Sequence, residues 1–372
     1  MTSKRANVVV VLPNLKPGGA ERVMLQVVNN LCSSGKITLA LVRPIGELIP
    51  HIDSRVEIVD LGGTLGWVTA LIRLVWQKRP RTILSTLSDI NIAILLLRPL
   101  FPSEVRIVVR EALMPDGWMQ YWRFPRLTRF LYRYTYLQAD RIIVLSETMR
   151  RSFLGFVNRS SRNLAVIPNA VDPARLDSVN KTPIQAPAPY LIAVGRLHPQ
   201  KGFDALIEAF SLLGASLAGY RLLIIGEGSE RSKLELLIER LGLSDRVILM
   251  GFMENPTELV RRAVLFVLSS RVEGSSNALI EALSVGTPVL AVKADTGADE
   301  LIVEGKNGFL IGRCETQILA QGIKHALANV AQLNRKAIET HARERFSLTA
   351  MIDNYREVLF GLAGTGAHTW SK

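Results

Sequence analysis

Residues 269–308 read SSRVEGSSNALIEALSVGTPVLAVKADTGADELIVEGKNG, and this stretch decides the fold of the 372-residue chain. Just before it, residues 263–268 (AVLFVL) are a short apolar run of the kind that makes a buried parallel strand. Polarity then changes abruptly. Ser269, Ser270, Gly274, Ser275 and Ser276 supply a small polar loop, and residues 277–284 follow with Leu279, Ile280 and Leu283 at helical spacing, ended near Gly286 and Pro288. A loop leaving the C-terminal end of a strand and feeding a helix is where open α/β sheets take their ligands. The helix start offers unpaired N–H groups and a partial positive charge, both of which favour a phosphate. Glu273 on the loop and Glu281 one turn inside the helix set two carboxylates around this transition, able to accept hydrogen bonds from a sugar ring and from the vicinal hydroxyls of a ribose.

Working outward, the same rhythm repeats. The first half predicts strands at 8–12, 37–42, 82–85, 106–109 and 141–145, with a helix at 20–33; the second predicts strands at 190–194, 221–225 and 247–249 between helices at 203–213 and 230–241. This is the pattern of an α/β protein with two doubly wound, Rossmann-like domains. Residues 180–189 (NKTPIQAPAP) hold three prolines and no acid, which reads as a linker, so the domains are expected at 1–179 and 190–346. Two such sheets are expected to face a central cleft, a preferred place for a ligand.

Composition bounds the function. The 48% hydrophobic and 21% charged fractions are those of a soluble globular chain, and no apolar run reaches the length of a spanning helix. Residues 8–12 after Lys4 and Arg5 are too short for a signal peptide. With only Cys32 and Cys314 there is no disulfide framework, so a cytoplasmic setting is expected. No His/Cys/carboxylate spacing predicts a metal site. The net charge of +12 is lopsided: residues 1–178 hold 24 Lys and Arg against 13 acids, and residues 179–372 hold 21 against 20. The first half therefore points to an anionic partner. Within it, residues 117–139 contain no acid, eight aromatics and four arginines, Arg123, Arg126, Arg129 and Arg133. Arginines three or four apart beside aromatics suit an anionic membrane surface, or equally a partly buried helix with solvated arginines. No nucleic-acid motif accompanies them, and no nucleic-acid partner is expected.

Other segments carry chemistry. Residues 193–203 (AVGRLHPQKGF) leave a strand, turn at Gly195 and enter a helix, which places Arg196 and Lys201 to grip a diphosphate from two sides. Gly18 and Gly19 lie between the first strand and first helix, where glycine lets backbone approach a ligand. Residues 225–229 (IGEGS) lack the third glycine of a dinucleotide fingerprint, since Arg231 occupies that place.

Taken together, Glu273-Gly274, Glu281-Ala282, Gly286-Thr287-Pro288-Val289, Gly297 with Glu300, and Asn307-Gly308 resemble the C-terminal signature of the retaining glycosyltransferases of family 4, which share the GT-B fold. The resemblance implies transfer of a hexose from a nucleoside diphosphate sugar, with a uridine diphosphate sugar as the expected donor, to a lipid-linked or polysaccharide acceptor in cell-surface glycan synthesis. It implies a peripheral enzyme on the inner face of the membrane, with no cofactor beyond the donor and no metal. It further implies that Arg196, Lys201 and Glu273 serve catalysis. Gly18, Gly19, Gly195, Gly226, Gly251, Phe252, Gly274, Ser275, Ser276, Asn277, Glu281 and Gly297 would bind the nucleotide sugar. The first domain would hold the acceptor, and residues 347–372 would return to it as a helix. Many relatives place a histidine in the first domain near the transferring sugar; here Arg110 and Glu111 occupy the end of the 106–109 strand and become the candidates for contacting substrate. A nucleotide-sugar epimerase or hydrolase of the same fold, or a non-catalytic nucleotide-sugar-binding subunit, are the alternative readings.

Overall fold

The structure, a computed structural model, describes residues 7–114, 125–157, 163–178, 189–293 and 296–361. Arg123 and all but the last residue of the expected linker lie outside the described residues. The chain divides into two compact units, one running to Asn169 and resuming at Leu348, the other spanning Ala170–Ser347.

The first unit is a parallel sheet of β1 (Asn7–Leu12), β2 (Lys36–Leu41), β3 (Glu57–Asp60), β4 (Thr82–Thr86), β5 (Arg106–Arg110), β6 (Arg141–Val144) and β7 (Leu164–Val166). Their order is β3-β2-β1-β4-β5-β6-β7, and every pair is parallel. Strands covered on both faces need continuous apolar sequence, which β1 supplies as NVVVVL, buried from Val8 to Leu12. The edge strand β3 reads EIVD and keeps Ile58 exposed, as a strand with one neighbour can. The helix Leu348–Phe360 packs on this unit through buried Met351, Ile352, Tyr355, Leu359 and Phe360. It is tied there by Thr82 Oγ1 donating to the Leu359 carbonyl at 2.9 Å and by Arg356 Nε donating to Ser34 Oγ at 2.9 Å.

The second unit holds β8 (Tyr190–Val194), β9 (Arg221–Ile225), β10 (Val247–Gly251), β11 (Leu265–Leu268), β12 (Val289–Val292) and β13 (Gly308–Ile311). The order is β10-β9-β8-β11-β12-β13, again wholly parallel. Chain order reverses between β8 and β11, the kind of switch point at which open α/β sheets take their ligands. The second unit begins earlier than the expected boundary at 179. The Val171 N–H donates to the Phe346 carbonyl at 3.2 Å, Val171 and Leu176 enter the second core, and Arg343 grips Asp177 at 2.7 and 3.1 Å.

Candidate active site

The backbone of the second unit is folded tightly at the C-terminal edge of its sheet. After β8, the Gly195 N–H donates to the Ile225 carbonyl and the Leu197 N–H to the Glu227 carbonyl, both at 2.9 Å, so the loops after β8 and β9 run side by side. The Gly226 N–H donates to the Gly251 carbonyl at 2.9 Å, extending the contact to β10. Gly226 has φ +147°, and a Cβ there would lie 1.9 Å from the Gly195 carbonyl oxygen. Only glycine fits, which explains the Gly-Glu-Gly turn without any dinucleotide fingerprint. Phe252, just past Gly251, is exposed.

A second set of bonds joins the loop after β8 to the loop after β11. Gly202, at φ +63°, opens the helix Phe203–Leu212 so close to Ser269 that a Cβ would meet its carbonyl oxygen at 2.3 Å. Ser269 Oγ donates to the Lys201 carbonyl at 2.8 Å, Gln200 Nε2 to the Val272 carbonyl at 2.7 Å, and the Arg271 N–H to the Gln200 carbonyl at 2.7 Å. The Arg271 guanidinium completes the seam with a two-pronged bond to Asp204 at 2.8 and 3.0 Å.

That seam brings Lys201 to Glu273. Lys201 Nζ pairs with Glu273 Oε1, and Ser270 Oγ donates to the same oxygen at 2.7 Å. Glu273 is buried, and a carboxylate there is costly unless paired. Both partners claim Oε1, which leaves Oε2 without a donor among the described residues. Glu281 repeats the arrangement. On the helix Asn277–Ser284, its Oε1 accepts from Arg175 Nη1 at 2.6 Å, and its Oε2 has no donor among the described residues. Ser276 caps that helix by accepting from the Leu279 N–H at 3.4 Å.

The neighbourhood is electropositive. Arg196 is exposed, and burial, followed by the repulsion of Arg196, holds His198 below the usual imidazole range. Gly274 is buried, Ser275 and Asn277 are half-buried, and Gly297 at φ +67° leads the turn Ala298–Glu300 after β12. The second unit thus carries Gly195, Arg196, Lys201, Gly226, Gly251, Phe252, Glu273, Gly274, Ser275, Ser276, Asn277, Glu281 and Gly297 on segments that follow the C-terminal ends of parallel strands.

The other candidates lie in the first unit. Gly18 precedes the helix Gly19–Leu31, and the Glu21 carboxylate lies over it. Arg110 and Glu111 depart from expectation, because both are buried and bonded within the first unit, Arg110 Nε alone of their side-chain polar atoms having no hydrogen-bond partner among the described residues. Arg110 donates to Thr86 Oγ1 at 3.1 Å and to Asn169 Oδ1 at 2.7 Å. Glu111 accepts from Ser88 Oγ and Asn91 Nδ2, each at 2.8 Å, and from the Tyr136 hydroxyl. Burial pushes its carboxyl up to about 7 although the Asn91 and Ser88 bonds pull the other way. On the helix Pro125–Tyr136, Thr128, Tyr132, Thr135 and Tyr136 face inward. Leu127, Phe130 and Tyr134, respectively 56%, 66% and 58% exposed, form an outward apolar stripe at i, i+3 and i+7, with Arg126, Arg129 and Arg133 each one position earlier. Arg133 also serves the fold, since its Nε donates to the Phe156 carbonyl at 2.7 Å.

Sequence reasoning missed Arg175, Gln200, Ser270 and Arg271. The contact of Arg175 with Glu281 spans 106 residues, and no local signal announces it. The seam residues sit inside recognised segments, but their role depends on which loops are neighbours.

Two family models match parts of the chain. Residues 175–345 match the family model described as "Glycosyl transferases group 1", and residues 115–175 match that of "Glycosyltransferase Family 4". Both models describe glycosyltransferases, and the chain is a glycosyltransferase. It is 28% identical, over 73% of each chain, to the N-acetylgalactosamine-N,N'-diacetylbacillosaminyl-diphospho-undecaprenol 4-alpha-N-acetylgalactosaminyltransferase of Campylobacter jejuni. It is 26% identical to the lipopolysaccharide core biosynthesis glycosyltransferase LpsE of Rhizobium meliloti, over 92% of this chain and 96% of that one. The crystal structure of Anabaena HepE in complex with UDP and glucose superimposes with a TM-score of 0.77 at 21% identity, covering 96% of this glycosyltransferase and all of that chain. The fold is therefore GT-B, with two Rossmann-like units.

Proposed function

We propose that this glycosyltransferase moves a hexose from a uridine diphosphate sugar to a lipid-linked or polysaccharide acceptor with retention of anomeric configuration and without a metal. The observation that carries this reading is the pair of half-tied carboxylates. Glu273 and Glu281 each have one oxygen fixed by a cation and the other unclaimed among the described residues, on the loop and helix that follow β11. In this reading Glu273 takes the hydroxyls of the sugar, Glu281 those of the ribose, and Arg196 and Lys201 the diphosphate. Lys201 then stabilises the charge that builds on the leaving group, which is where fixed charge lowers a barrier most. The acceptor hydroxyl attacks the face from which the diphosphate departs, and a phosphate oxygen assists its deprotonation, so the protein supplies position and charge rather than a nucleophile.

The stripe of Leu127, Phe130 and Tyr134 beside Arg126 and Arg129 supports peripheral attachment to an anionic membrane, where a lipid-linked acceptor would be met. Among the described residues no helix is long and apolar enough to cross one.

The test is turnover of UDP-hexoses with lipid-linked acceptors in the presence and absence of EDTA, with the product's anomeric configuration read by NMR. Retention at an undiminished rate in EDTA supports the proposal. Inversion, loss of activity on chelation, or sugar-nucleotide turnover that needs no acceptor would count against it, the last favouring a hydrolase or epimerase.

A further inference from the structure

The ribose end of the proposed donor site contains a residue that no motif assigns. Arg175 lies on the short helix Pro173–Asp177, and its guanidinium bridges two groups: Nη1 donates to Glu281 Oε1 at 2.6 Å and Nη2 to the Glu254 carbonyl at 3.2 Å. The helix is itself fastened. The Arg175 carbonyl accepts from Asn255 Nδ2 at 3.1 Å, the Leu176 carbonyl accepts from Arg261 Nη2 at 3.1 Å, and Asp177 is gripped by Arg343. Both ends of the arm that reaches Glu281 are therefore held, and both Arg175 and Glu281 keep a quarter of their side-chain surface exposed.

We infer that Arg175 is a positioning residue for ribose recognition: by holding one oxygen of Glu281 it presents the other to the two vicinal hydroxyls. The inference rests on the proposed role of Glu281 as the ribose-holding carboxylate. A glutamate side chain left free samples several rotamers, and ordering it is a cost that falls on binding. Arg175 fixes the carboxylate before the nucleotide arrives. Lysine would keep the charge but, as a single ammonium, not the rigid fork that spans Glu281 and the Glu254 carbonyl.

The test compares the Kd of UDP with that of 2',3'-dideoxyuridine diphosphate, by calorimetry on the full chain, in wild type, Arg175→Ala, Arg175→Lys and Glu281→Ala. Loss of Arg175 is expected to shrink the advantage of UDP over the dideoxy compound roughly tenfold, the size of a charge-assisted hydrogen bond, with the dideoxy compound little affected. Arg175→Lys is expected to shrink it by about threefold. A purely structural role weakens both ligands by one factor and leaves the ratio where it was, which overturns the inference, as does a larger ratio. If Arg175→Ala does not fold, the ratio in Arg175→Lys decides in the same way. A wild-type ratio in Glu281→Ala locates the failure in the reading of Glu281 itself.

Discussion

The two sheets of this glycosyltransferase treat charge at their C-terminal edges in opposite ways. In the second unit, Arg175–Glu281 is a partly exposed pair and Lys201–Glu273 joins a partly exposed lysine to a buried carboxylate, each carboxylate keeping an oxygen without a donor among the described residues. In the first unit, Arg110 and Glu111 are enclosed, and neutral groups from Thr86, Asn169, Ser88, Asn91 and Tyr136 take up their hydrogen bonds. A pair that can share a partner with an incoming hydroxyl or phosphate suits a binding edge. A carboxyl that burial lifts to about 7 holds its proton inside the fold instead. The same residue type is thus paired with a cation and left with one open oxygen at one edge, and held by neutral groups at the other.

Breaking the second edge should have the larger effect. Glu273→Gln keeps the shape and can keep the Ser270 bond but loses the charge that meets Lys201; kcat for UDP-hexose transfer should fall roughly 10²- to 10³-fold, with a smaller change in KM. An unchanged kcat would remove Glu273 from the reaction.

The first edge should answer in stability and pH. Glu111 has an ordinary value of 4.5 and is raised to about 7 in the fold, so between those values the folded chain holds a proton that the unfolded chain has lost. Wild-type stability is then highest, as far as this group is concerned, below the lower value and declines as pH rises toward 7. Glu111→Gln removes that decline. Its unfolding free energy relative to wild type should rise by on the order of 3 kcal/mol between pH 5 and pH 8 in denaturant titrations. A pH-independent difference would mean that Glu111 is ionised in the fold and that the contrast between the two edges is wrong.

How much of this was legible in the sequence follows the same division. The inner strands of both sheets, except β12 (VLAV), are read directly as apolar runs, as in Val8–Leu12 and Leu265–Leu268, because burial on both faces demands them. The outer strands β3, β7 and β13 were not, since an edge strand such as EIVD needs no such run. Glu273, Glu281, Arg196 and Lys201 stand in recognisable local spacings. Arg175 does not, and Arg110 and Glu111 were legible as residues at a strand end but not as buried ones. Their burial is decided by Ser88, Asn91 and Tyr136, which only the tertiary fold brings to them.

The smallest effect concerns the outer face of the first unit. Changing Arg126 and Arg129 together to Ser should weaken flotation with anionic liposomes roughly thirtyfold, at about 1 kcal/mol per arginine near the surface, while leaving the UDP affinity of the second unit unchanged. Equal flotation of both proteins would detach the arginines from the membrane.

The central claim, that the charged edge of the second sheet works on the donor diphosphate, is tested most directly by the rate of UDP release from UDP-hexose with acceptor present in Lys201→Ala. The expected result is a fall of roughly 100-fold or more with a melting temperature close to that of wild type. Wild-type kinetics in a folded Lys201→Ala protein would contradict it.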